Sequence, residues 1–175
     1  MKGKRLQFAR QYVTKPVEFW RTVCFSDEST FECQATSKRQ VWQTPGYPTP
    51  VRETVKHPIK VMVWGIISYK GPGNLHVVEG MINSAQYLHV MKTRMLPQIR
   101  KWFESTDGCV FMHDSAPCHK AKVVTEFLDT HNINVLPWPG NSPDLKPLET
   151  IWGIMKGILC HQTHTKKMPM RVSFS

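Results

Sequence analysis

The chain has 175 residues, 41% of them hydrophobic and 21% charged, and a net charge of +10 from 23 Lys and Arg against 13 Asp and Glu. This size and mix predict one globular domain with short tails, and exclude a disordered, collagen-like or coiled-coil chain. The longest apolar run, Val61 to Ile67, falls well short of the roughly 20 residues of a bilayer span, and no apolar segment follows the basic start, so neither a membrane span nor a signal peptide is expected.

Five cysteines (Cys24, Cys33, Cys109, Cys118, Cys160) are widely spaced with no C-x-x-C pair, which argues for reduced thiols rather than a disulfide framework or zinc ribbon. His161 and His164 lie near Cys160, but a second ligand pair is missing. The positive charge is uneven. Residues 1–21 carry net +5, residues 34–60 net +4 and residues 150–175 net +4, while residues 61–149 balance and residues 22–33 are net −3. Basic flanks around a neutral body fit a polyanionic partner, nucleic acid being the commonest.

In chain order, residues 1–21 read as a basic helical lead-in interrupted at Pro16. Residues 22–33 read as a strand, with Val23, Phe25, Asp27, Ser29 and Phe31 on one face. Residues 34–58 hold five prolines or glycines among basic groups and read as a long extended loop. Lys60 to Tyr69 is the strongest strand signal, with Asn74 to Glu79 its hairpin partner across Lys70-Gly71-Pro72-Gly73. A helix is expected from an N-cap at Ser84 to Glu104, kinked by Pro97. A short strand (109–113), a helix (about 117–131), a short strand (134–136), a Pro/Gly/Ser/Asp connector and a helix from Pro147 follow. This order predicts a mixed sheet with helices on its faces, an α/β fold.

Three acids sit on or beside regular elements: Asp27 within the first strand, Asp114 at the end of the 109–113 strand, and Glu149 in the first turn of the last helix. If they converge, their mutual repulsion calls for a cation, and oxygen ligands select Mg²⁺ or Mn²⁺. Two such ions would suit phosphodiester cleavage. Each acid also has a plain structural reading. Asp27 could be a strand-edge acid with neighbouring Glu28 the important one; Asp114 could cap the next helix, and Glu149 could complement a helix N-terminus.

Four segments carry a family resemblance: Phe25-Ser26-Asp27-Glu28-Ser29, Val61-Met62-Val63-Trp64-Gly65, His113-Asp114-Ser115-Ala116-Pro117-Cys118-His119, and the stretch Trp138 to Glu149 that contains Ser142-Pro143-Asp144-Leu145-Lys146-Pro147. In order and spacing, including the 34 residues between Asp114 and Glu149, they resemble the catalytic (DDE) domain of Tc/mariner transposases over residues 5–160. The resemblance implies an RNase H-like domain over residues 22–160, a divergent or disordered tail at 161–175, and Asp27, Asp114 and Glu149 as the catalytic, metal-binding triad for two Mg²⁺ or Mn²⁺ ions. It implies DNA as partner, cut at transposon ends and joined at a TA target, in the nucleus. His119 matches the family's histidine near the site. The 34–58 segment matches its clamp loop, with Lys38, Arg39 and Trp42 as DNA-contact candidates and a homodimer as the expected assembly.

The chain departs from the pattern in three places. Lys146 stands where asparagine is usual and Leu148 where isoleucine is, and Lys146 could pair with Glu149 or compete with metal. Only 21 residues precede the first catalytic strand, too few for the family's helix-turn-helix reader of DNA ends. The expectation is therefore a truncated or domesticated transposase domain; the alternative is a decayed nucleic-acid-binding or protein-interaction relic of the same fold. An RNase H acting on RNA–DNA hybrids is disfavoured by the Ser142-to-Glu149 motif.

Overall fold

In a computed structural model of the chain, residues 2–32 and 60–165 are described. The 34–58 loop with Lys38, Arg39 and Trp42, and the tail beyond 165, lie outside the described residues. The elements are α1 (Lys2–Tyr12), α2 (Val17–Arg21), β1 (Val23–Glu32), β2 (Lys60–Ser68), β3 (Gly71–Val78), α3 (Ser84–Val90), a π-helical turn (Met91–Met95), α4 (Leu96–Phe103), β4 (Val110–Met112), α5 (Lys122–Thr130), β5 (Asn134–Val135), a 3₁₀ turn (Pro143–Leu145) and α6 (Pro147–Thr165). Five strands form one sheet in the order β3-β2-β1-β4-β5. The β1–β2 and β2–β3 pairs are antiparallel, and the β1–β4 and β4–β5 pairs parallel. The expected mixed α/β architecture is present.

Both faces of the sheet are covered. On one, Cys24, Trp64 and Ile66 pack with Tyr87, Val90, Met91, Met95, Ile99 and Leu128 from the helices between β3 and β5. On the other, Phe31 packs with Leu148 and Trp152 of α6, and Val23 and Met112 with Tyr12 and Leu136. Alternation along β1 therefore assigns neighbouring residues to different layers. Asp27 looks toward α6; Glu28 looks toward the α3–α5 layer.

Local chemistry explains where the elements differ from the sequence reading. The hairpin turn is tighter than Lys70–Gly73: Ser68 pairs with Gly71, whose φ of +111° suits glycine, and Pro72 is tolerated because β3 is an edge strand. Asn83, not Ser84, caps α3. Its side chain accepts from the Gln86 N–H and Gln86 returns a bond to the Asn83 N–H, a capping box. Pro97 cannot donate a backbone hydrogen bond, and the turn before it is π-helical, so the long helix is interrupted ahead of the proline. At this irregularity the Arg94 carbonyl accepts from Asn74 Nδ2 at 3.1 Å, which ties the helix to β3. α5 starts at Lys122, not near Pro117, because Ala121 is extended and residues 117–120 form a turn held by Asp114 and Ala116.

The lead-in is not a loose tail. The Phe8 and Tyr12 rings meet at a tilt with centroids 4.5 Å apart, Phe8 meets Trp138 edge-on at 5.1 Å, and Arg5 grips both carboxylate oxygens of Asp144 at 2.7 and 2.6 Å. Thus α1 is docked on the Trp138-to-Glu149 segment.

Gly65 decides how closely α6 approaches the sheet. It is paired with Asp27 across β1–β2, and a Cβ there would lie 2.7 Å from Trp152 Cη2 and 2.9 Å from Leu75 Cδ2. The Trp152 ring is fully buried, with no space to retreat without repacking Leu148 and Phe31. Gly65→Ala is expected to destabilise the fold by about 1–3 kcal/mol, the usual cost of overpacking, in urea unfolding followed by tryptophan fluorescence. Unchanged stability would show that Trp152 is not held against the strand.

Candidate metal and nucleic-acid site

Asp27 is 5% exposed in the middle of β1. A carboxylate buried this far needs partners, and it has two. Lys146 Nζ donates to Oδ1 at 2.7 Å, and Trp152 Nε1–H donates to Oδ2 at 3.3 Å. Both come from the α6 side: Lys146 follows the 3₁₀ turn in extended conformation, with φ −87° and ψ 117°, and its side chain is 8% exposed. Trp152 lies five residues into α6, over Gly65.

Asp114 follows β4, which lies parallel to β1 and beside it. It divides its oxygens between two cations. Oδ2 accepts from Lys146 Nζ at 3.1 Å; Oδ1 accepts from the Ala116 N–H at 3.0 Å and lies 2.9 Å from His119 Nδ1. The bond to His119, the Ala116 N–H and the Lys146 charge hold its carboxyl well below the usual carboxylate range, against the effect of burial. Asp114 does not cap α5, whose N-cap is Ala121; it holds the turn before that helix through the Ala116 N–H and is a member of a charged cluster.

Lys146 joins the two acids. Burial opposes its charge, but the hydrogen bond and charge of Asp27, followed by those of Asp114, raise its pKa above that of an ordinary lysine. The sequence left open a pairing with Glu149; the structure pairs Lys146 with Asp27 and Asp114 instead. Glu149 is exposed in the first turn of α6, and its backbone N–H donates to the Lys146 carbonyl at 3.2 Å. Among the described residues, no three Asp, Glu, His or Cys side chains are grouped as a metal site.

Behind Asp114, on the other face of the sheet, lies a histidine stack. The ring of His119 is stacked on His113 with centroids 5.1 Å apart and lies 4.0 Å from Tyr87. Burial alone would neutralise His119. The bond to Asp114 and the Glu28 carboxylate, Oε1 to Nε2 at 3.5 Å, outweigh that and raise its pKa to about 10. The 3.5 Å contact is an electrostatic approach, not a hydrogen bond: both of these buried atoms lack a hydrogen-bond partner. Burial and the positive neighbour drive His113 the other way, to about 4. Neutral His113 shares a hydrogen bond through Nδ1 with the Tyr87 hydroxyl, 2.9 Å away.

A cleft of about 700 Å³ opens beside Asp114, lined among others by Lys4, Gln7, Phe8, Lys120 and Trp138. It joins the docked lead-in to the acidic pocket. Several site residues escaped the sequence reading. Trp152 and Tyr87 lie at helical spacing among apolar residues, a pattern that points to core packing, and His113 lies in the 113–119 segment without a role of its own. The polar atoms of Trp and Tyr are a standing reason to look for a partner, but no local pattern names that partner. Arg5 read as one more basic group.

A family profile described as "DDE superfamily endonuclease" matches residues 22–169. The Tc3 transposase of Caenorhabditis elegans is 30% identical over 175 residues, which is 94% of this chain and 49% of that protein. The Tcb2 transposase of Caenorhabditis briggsae is 31% identical over 155 residues, 85% of this chain and 55% of the relative. The chain therefore spans about half the length of the relatives it matches. Among solved structures, the mariner Mos1 paired-end complex with Mg superposes with a TM-score of 0.70 at 22% identity, covering 89% of this chain and 46% of that one. The Mos1 catalytic domain gives 0.57 at 21% identity, covering 90% and 68%. The expected RNase H-like fold is the fold observed.

The charge on His119 has a pH consequence. Its folded pKa of about 10 lies above the ordinary 6.5, so the stability it contributes is complete below pH 6.5 and lost as pH rises through 10. The stability difference between the wild-type chain and His119→Gln should be constant up to about pH 6.5 and then shrink towards pH 10, in urea titrations without metal. A difference independent of pH from 6 to 10 would show that His119 is neutral.

Proposed function

Because this chain belongs to the DDE superfamily of endonucleases, as a Tc/mariner-type transposase catalytic domain, we propose that it cuts DNA phosphodiesters and joins the freed end to new DNA with the help of Mg²⁺ or Mn²⁺. The observation that carries this reading is the convergence of Asp27 Oδ1 and Asp114 Oδ2 on a single positive group, at 2.7 and 3.1 Å. The Lys146 ammonium stands in there for a cation. The donors are carboxylate oxygens alone, the set preferred by hard divalent ions.

Asp27 and Asp114 would hold the ion, and we assign Glu149, three residues beyond Lys146, as the third acid. Two ions are part of the proposal. When bound, such ions activate water and neutralise charge on the phosphodiester. Trp152 fixes Asp27 in one orientation, and Ala116 with His119 fixes Asp114. The protonated His119 offsets the charge of Glu28 and Asp114 next to the site, which keeps the acids of β1 and of the loop after β4 tolerable side by side. In the first step water attacks phosphorus, the bond to the 3′ oxygen breaks, and a 3′-hydroxyl is released. In the second that hydroxyl attacks a target phosphodiester at a TA step and expels the target's own 3′ oxygen.

Nuclear DNA is the proposed substrate. Lys4 and Lys120 at the cleft, with the basic flanks of the sequence, would contact backbone phosphates and make binding weaken with salt. The Mos1 complexes, one with a left transposon end and others with Mg or Mn, support both the nucleic acid and the ions. A second reading, a DNA-binding relic without turnover, is favoured by one observation: the same Lys146 ammonium fills the gap between the acids.

Nicking of supercoiled plasmid in Mn²⁺ separates the two. The wild-type chain should nick, and Asp114→Asn should lose roughly 100-fold or more of that rate. Equal nicking by both would remove Asp114 from the site; DNA binding without any nicking would select the relic.

A further inference from the structure

Lys146 is the one lysine among the described residues whose ammonium is buried between two carboxylates, and its position coincides with the point that a divalent ion would need. Its Nζ lies 2.7 Å from Asp27 Oδ1 and 3.1 Å from Asp114 Oδ2. A magnesium ion binds carboxylate oxygen at about 2.1 Å. An ion on those same two oxygens would overlap the ammonium and be repelled by it, so the two cannot occupy the gap together. We propose that Lys146 is a tethered internal cation that must be displaced before a divalent ion can enter, so that the chain sets its own threshold for metal. This rests on the metal-dependent reading above.

The surroundings suit a removable occupant. Lys146 sits between the 3₁₀ turn and α6, where it belongs to neither helix, and its four-carbon stem is the flexible part of the contact. The residues around it keep their partners without it. Asp27 retains Trp152 Nε1, and Asp114 retains the Ala116 N–H and His119. The pocket can therefore exchange one cation for another without being dismantled. In the meantime the ammonium prevents the two acids from repelling each other, and the apo protein stays folded with its oxygens already converged. Asp144, two residues before Lys146, is locked to Arg5 and does not compete for the ammonium.

Binding of Mn²⁺ alone to the 175-residue chain, followed by the electron paramagnetic resonance of the free ion, tests this. Lys146→Gln should bind at least about tenfold more tightly than wild type, a size typical of groups that tune a metal site, and Asp114→Asn should weaken binding in either background. Equal or weaker binding by Lys146→Gln, with wild-type binding still dependent on Asp114, would overturn the displacement and leave the metal reading standing. Binding that ignores Asp114 in both proteins, or no binding by either, would overturn both. A second measurement needs no variant of Lys146. Acetic anhydride should label Lys146 of the wild-type chain slowly without Mn²⁺ and several-fold faster at saturating Mn²⁺, read by peptide mass. Continued protection of Lys146 while Mn²⁺ is bound would overturn the proposal.

Discussion

The central constraint is a buried carboxylate in the middle of a strand. Asp27 is placed there by the alternation of β1, and the fold can tolerate it only by bringing a positive group and a donor to it. Lys146 and Trp152 come from 119 and 125 residues further along the chain. Breaking one partner out of a buried ion pair typically costs about 3–5 kcal/mol, because the remaining charge is stranded. The position of α6 is therefore tied to the chemistry of β1, and the same contact that seats the helix closes the acidic pocket.

Gly65 makes that seating possible. It lies opposite Asp27 on β2, and its missing side chain leaves space for the Trp152 ring to lie against the strand. Strand register, a glycine, an indole and a carboxylate thus form one unit. A one-residue slip of β1 against β2 would move Asp27 to the other face and bring Glu28 toward α6. The reading that left Asp27 and Glu28 as rivals resolves in this geometry into two roles on two faces. Asp27 meets the ammonium, while Glu28 lies beside the charged ring of His119. Asp114, at the end of the neighbouring parallel strand, touches both sets and links them.

Opposite protonation of two stacked histidines follows from the same arrangement. His119 gains charge from Asp114 and Glu28, and His113, next to it and buried, loses it. The neutral ring is hydrogen-bonded to the Tyr87 hydroxyl, which anchors the loop after β4 to α3. A loop that carries Asp114 is thereby braced from behind, as a group required to hold a fixed position should be.

By itself the sequence determined the elements and the family. Period-2 alternation in β1, the apolar β-branched and aromatic run of β2, helical spacing in α3 to α6 and the Ser142-to-Glu149 motif are local patterns, legible because each is set by a residue's near neighbours. Placement on or beside those elements marked Asp27, Asp114 and Glu149, and the family resemblance added His119 and Lys146. Only the tertiary structure decided their partners: Lys146 with two acids rather than with nearby Glu149, Trp152 as a donor rather than mere core, and Arg5 clamped on Asp144. Those contacts span 32 to 139 residues of chain. A buried charge fixes that some partner must exist, but which one arrives depends on how sheet register and helix packing bring distant segments together.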